Sequence, residues 1–152
     1  MKNTAIILSV VIFSLMLVSC HAAPSAEDML TDFMSAYSAE GIVYSSVARE
    51  GDVGYLDRDT LTEIYQDREI PNENYAVFLN SRPDYGSECG VFVCKDTEEV
   101  RRVTDTLERR LKLLRGEERS LLIRSGNIVF YSTMRDRDTA EKIWRDIIRA
   151  HL

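Results

Sequence analysis

Two rhythms of apolar and polar positions run along this chain, and their alternation predicts an order of elements. Leu30, Phe33, Met34 and Tyr37 recur at the spacing of one helical face. Ser25-Ala26-Glu27-Asp28 in front of them resembles a capping box, with Asp as the acidic member, and Gly41 is expected to end the helix. Residues 42–49, "IVYSSVAR", are rich in β-branched and aromatic side chains and read as extended. Thr60-Leu61-Thr62-Glu63 is expected to cap a short helix running to about residue 67, and Pro71 forbids its continuation.

"YAVFLN" at 75–80 and "ECGVFVC" at 88–94 read as strands, with "SRPDYG" as the loop of a hairpin. Residues 96–115 carry the plainest helical pattern. Asp96 and Glu99 form a capping pair, Val100, Val103, Leu107, Leu111 and Leu114 make one stripe, and Gly116 stops it. "SLLIR" and "IVFYST" then flank Ser125-Gly126-Asn127, a second hairpin. Asp138 is expected to cap a final helix with Ala140, Ile143, Trp144, Ile147 and Ile148 inward. Helices and hairpins in this order predict an α+β fold, an antiparallel sheet with helices packed on one face. Two hairpins argue locally against a parallel sheet.

One repeat stands out. "DRDTLTEIYQD" from Asp57 echoes "DRDTAEKIWRD" from Asp136. An Asp-x-Asp metal loop would need further oxygen ligands at fixed steps and a turn glycine, which neither copy supplies. The reading kept is a capped helix after an extended segment, used twice.

The first residues follow neither rhythm. Lys2 is the sole charge before Glu27, and residues 5–18 are apolar except for Ser9 and Ser14. Fourteen helical residues span about 21 Å, short of the ~30 Å hydrocarbon core, so the run reads as a signal peptide over 1–19. Leu17-Val18-Ser19-Cys20 resembles the bacterial lipobox, whose cysteine receives a diacylglyceryl group before cleavage in front of it. Ala22 and Ala23 offer an ordinary cleavage site as the competing reading. On the lipobox reading Cys20 is the lipidated residue, 20–24 is a tether reaching roughly 14 Å, and 25–152 is a single domain. The expected location is the extracytoplasmic face of the cell membrane, held by two acyl chains.

Composition is that of a folded domain: 45% hydrophobic and 29% charged residues over 152 positions leave enough apolar surface for a core. Residues 88–111, "ECGVFVCKDTEEVRRVTDTLERRL", and 126–147, "GNIVFYSTMRDRDTAEKIWRDI", together with the lipobox, resemble bacterial lipoproteins carrying domain of unknown function 4358, common in anaerobic Gram-positive bacteria. The likeness spans roughly 25–150 and departs at "RGEERSLL", where a longer segment is expected. It implies a location and an α+β domain. It implies no activity, and Cys20 is the one functional residue it carries over.

The candidate chemistry is thin. His21 and His151 lie far apart at the two ends of the mature chain, where neither suits a nucleophile–imidazole pair, and Cys and His nowhere cluster as zinc ligands. Cys89 and Cys94, five apart on one strand, should point to opposite faces about 17 Å apart and cannot bridge. No cofactor signature is present. Charge is more informative. Residues 20–94 hold 4 Lys and Arg against 14 Asp and Glu, a net of −10, whereas 95–152 hold 14 against 11, a net of +3. Either the two halves pack and their charges pair, or Arg101, Arg102, Arg109 and Arg110 form a surface for anionic headgroups or wall polymer. An acidic exported chain is not expected to bind nucleic acid. The expected function is therefore a non-enzymatic binding or interaction module at the cell envelope, meeting another envelope protein, a wall component or a small ligand. The alternative is an envelope hydrolase or peptidase-regulating factor using carboxylates.

Overall fold

The computed structural model describes residues 24–80, 87–114 and 117–152. The expected signal peptide, Cys20, most of the expected tether, the whole "SRPDYG" loop, Arg115 and Gly116 lie outside the described residues. In chain order the elements are α1 (Ala26–Tyr37), β1 (Val43–Ser45), α2 (Arg58–Tyr65), β2 (Tyr75–Leu79), β3 (Glu88–Val93), α3 (Thr97–Leu113), a 3₁₀ turn (Glu117–Arg119), β4 (Leu121–Ser125), β5 (Ile128–Ser132) and α4 (Arg137–His151). The strands form one sheet in the order β1-β2-β3-β5-β4, antiparallel throughout. Both hairpins expected from the sequence, β2–β3 and β4–β5, are present, and the fold is α+β.

The helices do not share one face, as expected from the sequence; they cover both. The pairing sets Ala76 beside Val91 and Val91 beside Phe130, and these join Phe33, Met29 and Trp144 in a core under α1 and α4. Their neighbours Val77, Phe92, Val129 and Tyr131 point the other way, into a second core under α2 and α3 with Leu61, Val103 and Leu107. The reason is written in the strands. β2, β3 and β5 are apolar at nearly every position, so a single helical layer would leave half of each strand's side chains in water. Within the first core the Trp144 indole stacks on Phe130, with centroids 4.1 Å apart and 8° between planes, and Phe33 tilts against the same ring at 4.9 Å. The Cys89 and Cys94 thiols fall in opposite cores and are unpaired.

Helix ends explain most boundary differences. Ser25 caps α1, its Oγ accepting from the Asp28 amide at 3.2 Å. The helix stops at Ser38 in the left-handed region rather than at Gly41. Gly41 serves instead to admit the Phe78 ring, which a Cβ there would strike. The caps of α2 and α4 are Asp57 and Asp136, not Thr60 and Asp138. In each copy one aspartate oxygen accepts from a threonine amide (2.9 Å from Thr60, 3.0 Å from Thr139) and the other from that threonine's hydroxyl (2.6 and 2.7 Å). The repeated Asp-x-x-Thr is thus one capping device used twice. β1 is shorter than expected, because Ser45 donates its N–H to the Gly54 carbonyl at 3.0 Å and residues 46–53 leave the sheet as a loop.

One end of the sheet gathers several elements. There β1 and β3 finish, β2 begins, and α3 starts at its Asp96 cap. Asn74 sits at this end and clamps the incoming chain: its Oδ1 accepts from the Ala26 amide at 2.9 Å and its Nδ2 donates to the Pro24 carbonyl at 3.0 Å.

Candidate functional site

Two groups of ionisable side chains are built around α3, one at each end. At its C-terminal end Glu88, the first residue of β3, is 6% exposed. A carboxylate this buried needs partners for its charge. Arg110 supplies them, with Nε 3.1 Å from Oε1 and Nη2 2.6 Å from Oε2, while its Nη1 donates to the Ile64 carbonyl at 2.9 Å. Tyr131 donates to Glu88 Oε1 at 2.7 Å. Its hydroxyl proton is then spent, so in the 2.6 Å contact between the Tyr65 and Tyr131 hydroxyls Tyr65 is the donor. Gly90, opposite Tyr131 in the ladder, makes room for that ring; a Cβ at Gly90 would lie 2.6 Å from Tyr131 Cε1.

Burial and the adjacent Glu88 charge push both tyrosines well above the ordinary 10.0. Burial by itself would lower the Arg110 guanidinium, but the hydrogen bonds and charge of Glu88 outweigh it and hold its pKa above the usual value. Each oxygen of the Glu88 carboxylate is engaged. This network ties β3, β5, α2 and α3 together and reads as structural. Glu88 was visible in the sequence as an acid heading an apolar strand. Its role was not, because its partners stand 22 and 43 residues away.

At the N-terminal end of α3 lies a cleft of about 350 Å³ between that helix and the segment running from α2 to β2. Arg58, Arg68, Lys95 and Arg102 line it together with Glu69, Glu73 and Glu99. Arg102 is its pivot. Nη1 lies 3.2 Å from Glu69 and Nη2 lies 3.3 Å from Glu99, while Nε is buried without a partner. Glu99 is itself fixed, accepting from the Lys95 amide at 2.8 Å. Four cations around three carboxylates leave the cleft with a small positive excess, which suits an oxygen-rich anion more than a cation. Among the described residues no three His, Cys, Asp or Glu side chains converge as a metal site requires.

The four arginines singled out in the sequence do not all line one site, although Arg109 and Arg110 border the same groove beside Tyr65. Arg110 is spent on Glu88, and Arg102 joins the cleft. Arg101 lies exposed, 3.7 Å from Asp105. Arg109 is exposed and donates to the Thr106 hydroxyl at 2.9 Å. Two of the four, Arg102 with Glu69 and Arg110 with Glu88, bridge the acidic and basic halves of the chain, so in part the charge asymmetry is absorbed within the fold. The two described cysteines are poor nucleophiles: burial and neighbouring acids push Cys94 up to about 12, and burial and Glu88 raise Cys89 further. Among the described residues no helix is long and apolar enough to cross a membrane.

No family model, no curated protein and no solved structure matches this chain.

Proposed function

We propose that this chain is an extracytoplasmic lipoprotein anchored through a diacylglyceryl group on Cys20, and that its domain is a binding module rather than an enzyme. The ligand would carry a phosphate or carboxylate group and dock in the cleft at the start of α3. One observation carries the choice of site: the cleft gathers four cations, Arg58, Arg68, Lys95 and Arg102, against three carboxylates. The lipobox and the resemblance to lipoproteins with domain of unknown function 4358 support the envelope location. A glycosidase-type hydrolase would need two carboxylates free to act on one substrate. Glu69 and Glu99, which meet in the cleft, are both engaged by Arg102, and Glu88 is engaged by Arg110.

Glycerol phosphate oligomer serves as the probe for a wall polymer, with inorganic phosphate as the small-anion comparison. Calorimetric titration should show saturable binding that weakens with salt, and Arg102→Gln should weaken it about tenfold, the loss of one charge-assisted contact. Arg101→Gln, changing an exposed residue outside the cleft, should leave affinity unchanged. Equal losses in both variants would mean diffuse charge attraction and would remove the cleft from the account. Mass analysis of the purified protein tests the anchor: the first residue should be Cys20, heavier by a diacylglyceryl group.

A further inference from the structure

The loop after β1 is unusual for what it exposes. Val53 is 84% exposed, Val47 67% and Tyr55 38%, all within residues 46–55. It is nevertheless a built loop. The Gly54 carbonyl is held by Ser45, the Arg49 amide donates to Asp52 Oδ2 at 2.9 Å, and the Asp52 amide donates to the Arg49 carbonyl at 2.9 Å. Two valines and a tyrosine are therefore presented to solvent on a closed turn.

The position of the loop says what lies near it. Ser46 donates its N–H to the Tyr75 carbonyl at 3.1 Å, and Tyr75 follows Asn74, the residue that clamps Pro24 and Ala26. The loop thus leaves the sheet beside the point where the chain enters it. Pro24 is four residues from Cys20, a reach of roughly 14 Å at most. If Cys20 carries lipid, this end of the sheet stays within about that distance of the headgroups. Tyr55, an aromatic ring with a polar tip, suits that interface, and the exposed Arg49 can meet a phosphate.

We propose that residues 46–55 rest in the headgroup layer of the bilayer holding the anchor, with Val47 and Val53 as the inserted side chains, so that the domain is fixed in orientation as well as tethered. This rests on the Cys20 reading, and the experiment separates the two. Full-length protein, purified from membranes, is reconstituted in phosphatidylcholine vesicles. A small environment-sensitive fluorophore is placed on Val53→Cys or, at the opposite end of the sheet, on Arg135→Cys; lipid nitroxides at headgroup depth are the quencher. The Val53 label should be quenched and the Arg135 label should not. In the unlabelled protein, Val47→Ser with Val53→Ser should speed transfer between vesicles about tenfold, from lost apolar burial, with the unfolding midpoint unchanged. Protein that floats with the vesicles but shows equal quenching at both labels, or an unchanged transfer rate, overturns the loop and leaves the anchor standing. Protein that does not float overturns both.

Discussion

Glu88 shows how one buried charge organises its surroundings. With Arg110 and Tyr131 in place its oxygens are satisfied; with Arg110 removed, a carboxylate at the head of a central strand faces the core alone. Arg110→Ala should therefore cost about 3 kcal/mol, read by denaturant unfolding, and Glu88→Gln, which removes the charge but keeps an acceptor for Tyr131, should cost less. A larger loss for the glutamine variant would mean that the ion pair is not what holds this corner. Gly90→Ala tests the same network from the other side. Its methyl group would meet Tyr131 Cε1 at 2.6 Å and the Ala76 carbonyl oxygen at 3.1 Å. Backbone cannot retreat as a side-chain tip can, so about 2 kcal/mol of destabilisation is expected. High pH should weaken the fold through the two tyrosines. Their folded-state values lie above 10.0, so the unfolded chain ionises first and stability falls as pH rises past that value.

Helix caps carry the element scale. Asp57 is held below the ordinary 3.8 chiefly by the Thr60 hydroxyl and Asp136 chiefly by the Thr139 amide. A lowered folded-state pKa contributes stability that is fully present above the unfolded value of 3.8 and lost as pH falls through the folded one. Circular dichroism between pH 5 and pH 2 should show Asp57→Asn and Asp136→Asn flattening the acid limb of the stability curve; parallel limbs would deny the caps this role. Most elements were legible before the structure, because a capping residue and a periodic stripe are local signals: Ser25 with Leu30 and Phe33, Asp96 with Val103 and Leu107. Where the expected cap was wrong, at Thr60 and Asp138, the echo of the two Asp-x-x-Thr segments already held the better answer. The layering was harder to read. It depends on which side of the sheet each helix crosses, a long-range fact signalled by the unbroken apolar runs of β2, β3 and β5. The cleft was illegible for a similar reason: Glu69 and Arg102 stand 33 residues apart.

For the whole molecule, two cores around one sheet shield both described thiols. Cys89 is fully buried and Cys94 is 2% exposed, in opposite layers. Native protein should therefore resist alkylation at neutral pH. In denaturant three thiols should react only if Cys20 is retained without lipid; two should react if it carries lipid or has been removed by ordinary cleavage, and the mass of the first residue separates those two cases. The layer beneath Phe130 is made by α1 and α4, the first and last helices of the domain. Translation delivers these two partners at opposite times. Until residues near 147 have emerged, Phe33 and Phe130 have no Trp144 to close against, and the greasy middle strands wait half-dressed. A chain released after Ser132 should be digested quickly by protease where the full chain resists. On the proposed envelope location, the same delay would keep the polypeptide threadable: it would lock into shape once its last helix arrives, on the far side of the export channel.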